Sequence, residues 1–192
     1  MKLSELNPPI IELPAGQRWH RVQLTRWTRS SVRRNGFNMP PFGTPTARFD
    51  LHHEPVAYLA DSAETALYET SFRREAGNCA WQRLVDRSLV AFETRAGLRL
   101  VVLRGFEERF PVLQSERYES TRSFAHASRS AGHHGILYAS AQHASHSCIC
   151  LFEAGLALMK KVHSLPLVKP NTEQLLGAVV HAARGSQVPI VR

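Results

Sequence analysis

Cysteine is scarce in this chain and lysine nearly so, and each shortage excludes something. The three cysteines, Cys79, Cys148 and Cys150, are an odd number at no framework spacing. That pattern fits a reducing compartment, where they would be ordinary core thiols, better than a disulfide scaffold. No apolar run approaches the length that crosses a membrane, and the opening MKLSELNPPIIELP lacks the charged start and long apolar stretch of a secretory signal. A cytoplasmic protein with no membrane partner is the expectation. Internal repeats and low-complexity linkers are also missing. Lysine occurs only 4 times against 20 arginines.

What is present suffices for one folding unit. The 192 residues with 43% hydrophobic content can bury one core of their own and are too few for two ordinary domains. Residues 1–16 are proline-marked and read as an irregular arm, leaving residues 17–192 as the single domain. The net charge of +8 comes mostly from arginine, whose fork binds phosphates in bidentate fashion. It suits an anionic partner: a nucleic acid, a dinucleotide or an acidic protein. For any single arginine, solvated surface is the simpler reading.

Residues 18–34, RWHRVQLTRWTRSSVRR, carry six arginines and two tryptophans, and WHRVQL alternates like a strand. Basic residues interleaved with aromatics are what a single-stranded nucleic-acid surface uses. No known nucleic-acid motif accompanies them, so direct nucleic-acid binding is not expected. Residues 35–46, NGFNMPPFGTPT, are rich in Gly, Pro and Asn and read as a loop long enough to cover a site.

The centre of the chain is residues 48–74. Residues 56–60 form an apolar run of strand length, and Asp61 with Glu64 reads as a capping pair that opens a helix. Ala63, Ala66, Leu67 and Thr70 recur at helical spacing, with Glu69 beside that buried face. A strand-to-helix unit can bring Arg48, Tyr58 and Glu69 to one end of a sheet, a combination better suited to a nucleotide than to a metal. The plainer alternatives pair Arg48 with Asp50 and Glu69 with Arg73, and make Tyr58 a core tyrosine with its hydroxyl satisfied.

Downstream, residues 88–93 and 98–103 read as two strands joined by a short turn. Residues 115–131 read as a polar helix, 135–139 and 148–152 as adjacent core strands, and 160–169 as a further segment broken by Pro166. Asn171 with Gln174 reads as the cap of a final helix ending before Gly185. Ser140 ends its strand among His133, His134, His143 and His146, but no G-x-S-x-G elbow surrounds it, which argues against a nucleophilic triad. His143, His146, Cys148 and Cys150 have no zinc-finger spacing, and the two cysteines fall on one side of a strand, so no metal is expected.

Three blocks in order, ARFD at 47–50, VAYLADSAETALYET at 56–70 and GILYAS at 135–140, resemble the signature blocks of the RES domain, with the resemblance running from about residue 21 to 152. It implies an α+β domain of ADP-ribosyltransferase-like fold, with short mixed sheets and flanking helices. It also implies a toxin that consumes NAD, as substrate and not as cofactor, opposed by an Xre-type helix-turn-helix antitoxin. By the same resemblance Glu69 and Arg48 are catalytic, while Arg21, Tyr58 and Ser140 bind substrate. Glu69 would stabilise positive charge on the ribose as nicotinamide leaves. Water, inorganic phosphate or a protein side chain remain open as acceptor, and homo-oligomerisation is left open too. Two readings of another class stand beside this one: a non-catalytic basic nucleic-acid-binding module, and a small zinc-stabilised domain.

Overall fold

The computed structural model describes residues 3–115 and 117–192. In chain order the elements are β1 (Ile10–Leu13), β2 (Arg18–Leu24), β3 (Val32–Arg34), β4 (Phe37–Met39), β5 (Ala57–Ala60) and α1 (Ala63–Thr70). They continue with β6 (Cys79–Ala80), α2 (Trp81–Val85), β7 (Arg87–Thr94), β8 (Leu98–Val102), α3 (Glu119–Ser130) and β9 (Gly135–Ala139). The last are β10 (Ser147–Leu151), α4 (Glu153–Ala157), β11 (Met159–Pro166), α5 (Gly177–Ser186) and β12 (Ile190–Val191). The result is the expected mixed α+β domain, built on one eight-stranded sheet in the order β1-β8-β9-β10-β5-β2-β7-β11. Every pairing in it is antiparallel except β8 with β9.

Side-chain alternation assigns the two faces of this sheet. Along β10, Cys148 and Cys150 pack on one face while Ile149 and Leu151 pack on the other. The Ile149 face is filled by Trp19, Phe92, Leu98 and Leu100 and by the stacked pair Phe37 and Phe92, with ring centroids 3.8 Å apart. The cysteine face carries two apolar clusters. One gathers Leu67, Leu84, Val179 and Ala182 around α1 and α5; the other gathers Phe49, Phe124, Ala125 and Ile136 around α3. Tyr138 packs against both. All three cysteines are free and buried, as expected.

Several expectations need correction. Residues Ile10–Leu13 are no irregular arm but the edge strand of the main sheet, paired with β8; Met1 and Lys2 lie outside the described residues. The segment read as pure loop contains β4, because Asn35 and Gly36 both take positive φ (47° and 87°) and close a two-residue hairpin between β3 and β4. β7 and β8 are not partners despite their short connection, since β7 lies between β2 and β11. The polar helix begins at Glu119 rather than 115, and Glu116 lies outside the described residues. α5 starts at Gly177 and contains Gly185, ending at Gln187 in the left-handed region. Asn171 and Gln174 instead shape the turn before it, where the Lys169 N–H donates to the Gln174 carbonyl. Among the described residues no helix is long and apolar enough to cross a membrane.

The helix that carries Glu69 is opened by Ser62, not by Asp61. Ser62 is extended, and its hydroxyl accepts the Thr65 N–H at 3.1 Å. Asp61 is drawn away to the end of β10, where its carboxylate accepts from the Ser147 N–H (2.7 Å) and meets His146 Nδ1 (2.8 Å).

Candidate active site

Between the two apolar clusters of the cysteine face lies a cleft of about 320 Å³, lined by Arg21, Arg48, Tyr58, Glu69, Tyr118 and Tyr138 among others. Four of the five expected site residues therefore share one cavity. The fifth, Ser140, sits just behind it.

Glu69 stands in the last turn of α1, half-buried. Its Oε1 accepts a short hydrogen bond from Ser140 Oγ (2.5 Å) and a longer one from the Gln142 N–H (3.3 Å). Arg73, the alternative partner one turn on, pairs with Glu75 at 3.2 Å instead. Among the described residues, Glu69 is the only acidic one that lines the cleft. Ser140 is buried, and its oxygen also accepts the N–H groups of Gln142 (3.2 Å) and His143 (2.9 Å). With that oxygen so committed, Ser140 sets the angle of the carboxylate. The turn is tied down from outside: the Arg74 guanidinium donates to the Ala141 carbonyl, and Gln142 Oε1 accepts the Arg74 N–H at 2.8 Å.

Opposite in sign are two guanidinium groups with no acidic partner among the described residues. Arg21 comes from β2 where that strand parts from β5; the two are paired only at His20 and Ala60. Its Nη1 donates to the Tyr58 carbonyl at 2.9 Å, and its Nε is buried without a partner among the described residues. Burial lowers its pKa to about 10, countered in part by Tyr58 and Asp50, so it stays charged at neutral pH. Arg48 likewise has a buried, unpartnered Nε. It does not pair with Asp50, whose carboxylate is taken by the N–H groups of Thr46 (2.8 Å) and Ala47 (2.7 Å) and by the Tyr58 hydroxyl (2.8 Å).

Tyr58 therefore offers the cleft its ring and not its hydroxyl, which also accepts the Phe49 N–H at 2.9 Å. Burial, with Cys150 and Asp50 nearby, raises that phenol well above its ordinary pKa and keeps it neutral. The loop that carries Arg48 is clamped by α3. Thr121 donates to the Arg48 carbonyl (2.7 Å), and Arg122 donates to the carbonyls of Ala47 (3.0 Å) and Pro45 (3.1 Å). Chemically the arrangement is an oriented carboxylate, two unneutralised cations and aromatic walls, which suits a charged ligand with flat rings.

The RES domain family model matches residues 14–170. The chain belongs to the RES domain family. In fold it is similar to a chain of the M. tuberculosis MbcT–MbcA toxin–antitoxin complex, with a TM-score of 0.59 and 17% identity over 81% of this chain and 86% of that one. No curated protein matches it.

The RES match stops at residue 170, yet the packing does not. Val179 and Ala182 of α5 complete the cluster under α1, and Gly185 lies so close to Tyr68 that a Cβ there would stand 2.2 Å from its hydroxyl. Within the RES domain, sequence reasoning missed several residues that shape the site. Gln142, Thr121 and Arg122 act through backbone groups far away in sequence, and Asp61 was misread as a cap. Tyr118 and Tyr138 carried only a pattern of apolar burial. His20 also lines the cleft with an unpartnered Nδ1, and burial, then His163 and Arg18, lowers its pKa. Among the described residues no group of three or more His, Cys, Asp or Glu is placed to hold a metal.

Proposed function

We propose that this RES domain consumes NAD by breaking the bond between nicotinamide and ribose, and that it acts as the toxin of a toxin–antitoxin pair. The observation that carries the reading is one oriented carboxylate sharing a cleft with two guanidinium groups that lack acidic partners among the described residues. Arg21 and Arg48 hold the pyrophosphate, and the aromatic walls receive the flat rings. As the C–N bond breaks, its electron pair leaves with nicotinamide, which becomes neutral, and positive charge grows on the ribose. Glu69 faces that charge and stabilises it. An acceptor then adds to the sugar carbon: water, giving hydrolysis; inorganic phosphate, giving phosphorolysis; or a protein side chain, giving ADP-ribosylation.

The toxin role is supported by the RES family and by the likeness to a toxin–antitoxin complex from M. tuberculosis. An Xre-type helix-turn-helix antitoxin that blocks the cleft is the partner this role calls for. Nicotinamide release by the purified protein, with and without inorganic phosphate, tests the chemistry. Turnover is expected to fall by roughly 10²- to 10³-fold in Glu69→Gln, and a phosphate requirement marks phosphorolysis. A folded, inhibitor-free protein that leaves NAD intact under both conditions refutes the reading.

A further inference from the structure

The structure sorts the arginine-rich stretch at residues 18–34 into three groups. Arg21 belongs to the cleft. Arg18 pairs with Glu93 (3.6 Å) and Arg34 with Glu153 (3.3 Å). That leaves Arg26, Arg29 and Arg33 exposed and without an acidic partner among the described residues. The two tryptophans divide as sharply. Trp19 is 6% exposed in the core, while Trp27 is 58% exposed, with the Arg33 guanidinium 5.4 Å from its ring centroid.

Trp27 and Arg33 line a second cavity of about 370 Å³ at the far end of β2, together with Lys161, Arg34, Asn38 and Ser164. No acidic residue among the described ones lines it. Its floor is held in place by Gln23, which donates to the Gly36 carbonyl (3.0 Å) and accepts the Asn38 N–H (3.1 Å), and by Asn38, which donates to the carbonyls of Leu24 and Arg26. Gly36 makes room for a cation: a Cβ there would stand 2.9 Å from Lys161 Cβ, so its absence lets the Lys161 stem lie against the hairpin. The Trp27 loop is braced in turn by Thr28 and Ser31.

We propose that this cavity binds single-stranded nucleic acid, with Trp27 stacking on a base, Arg33 and Lys161 of its lining holding phosphates, and the exposed Arg26 and Arg29 outside it extending the contact to neighbouring phosphates. An acidic peptide would use the cations but has no need of an exposed indole; a base uses both. A duplex hides its base faces and could not reach the ring. The site lies apart from the NAD cleft and does not depend on the NAD reading. It departs from the expectation of no direct nucleic-acid binding.

The test is fluorescence anisotropy of a labelled oligothymidylate titrated with the whole protein over a salt series. Three or four phosphate contacts predict a slope of log affinity against log salt of about −2 to −3, at roughly −0.7 per phosphate. Trp27→Ala is expected to weaken binding roughly 5- to 150-fold, and Arg33→Gln to flatten the slope by about 0.7. Both variants change exposed side chains, and an unchanged thermal midpoint confirms their folding. An oligouridylate arm tells whether RNA or DNA is preferred, either preference supporting the site. Absence of binding at the lowest salt, indifference to Trp27→Ala, or displacement by polyglutamate as readily as by unlabelled oligothymidylate each overturns the proposal.

Discussion

Replacing Ser140 with alanine separates two roles that its position allows: a hydroxyl that touches the substrate, or one that aims Glu69. The serine hydroxyl donates a hydrogen bond to Glu69 Oε1 at 2.5 Å and is not part of the cleft wall. Hydrogen bonds to charged groups contribute about 1.5–3 kcal/mol, and Glu69 would keep only the longer bond from the Gln142 N–H at 3.3 Å. If that energy orients the carboxylate in the transition state, kcat for nicotinamide release falls roughly 10- to 150-fold. KM for NAD should change little, since no wall contact is lost. The same change leaves the His143 N–H without its acceptor, at a stability cost of about 1–3 kcal/mol. Kinetics are therefore measured well below a separately determined melting point. A raised KM with kcat intact would refute the reasoning and return Ser140 to direct substrate contact.

Arg122→Leu removes both of that arginine's hydrogen bonds to the Arg48 loop, and is expected to raise KM for NAD with a smaller effect on kcat; an unchanged KM would mean that Asp50 and Thr121 fix the loop unaided. Gly135→Ala places a Cβ 2.1 Å from the Cys150 carbonyl oxygen, a backbone atom that cannot step aside. The expected loss is about 3 kcal/mol, or roughly 6–12 °C in thermal midpoint, and a shift under about 2 °C would show that β9 and β10 can part cheaply. Burial is the main cause that lowers the pKa of His20, His133, His134 and His143 below the ordinary 6.5. Each binds its proton more weakly folded than unfolded, so this stability is present above pH 6.5 and is lost as pH falls from there through the lowered folded values. The urea midpoint should drop on acidification through that window, and a flat or rising midpoint would contradict it.

Much of the site could be read in one dimension because its parts are local. The strand at residues 57–60, the helix after it and the strand end at residue 140 each carry their own apolar pattern. The failures share a cause: their deciding partners lie far along the chain. Asp61 with Glu64 satisfies the local rule for a helix cap, yet Asp61 bonds residues 146 and 147 while Ser62 takes the cap. β1 shows weak alternation between prolines and becomes a strand only because β8 offers it an edge. One miss was avoidable. Asn35-Gly36 between β3 and β4 is a strong short-range hairpin signal, and the prolines that follow it masked the reading.

The cleft itself follows from a break in the sheet. β2 and β5 pair at one position and then part, which opens the Tyr58 carbonyl beside a residue that must satisfy it. Arginine does so at the cost of enclosing a charge, and a neutral donor of like volume would satisfy the same carbonyl without that cost if folding were the only demand. Asp50 lies near enough to favour the charge of Arg21, yet both of its oxygens are committed to the Arg48 loop and the Tyr58 hydroxyl. It steadies the cation without consuming its donors. Arg48, presented by the loop that Asp50 shapes, is left unpaired by the same commitment. A fold that keeps two guanidinium groups charged, positioned and without acidic partners among the described residues around one carboxylate gives up stability that a bound anion would restore.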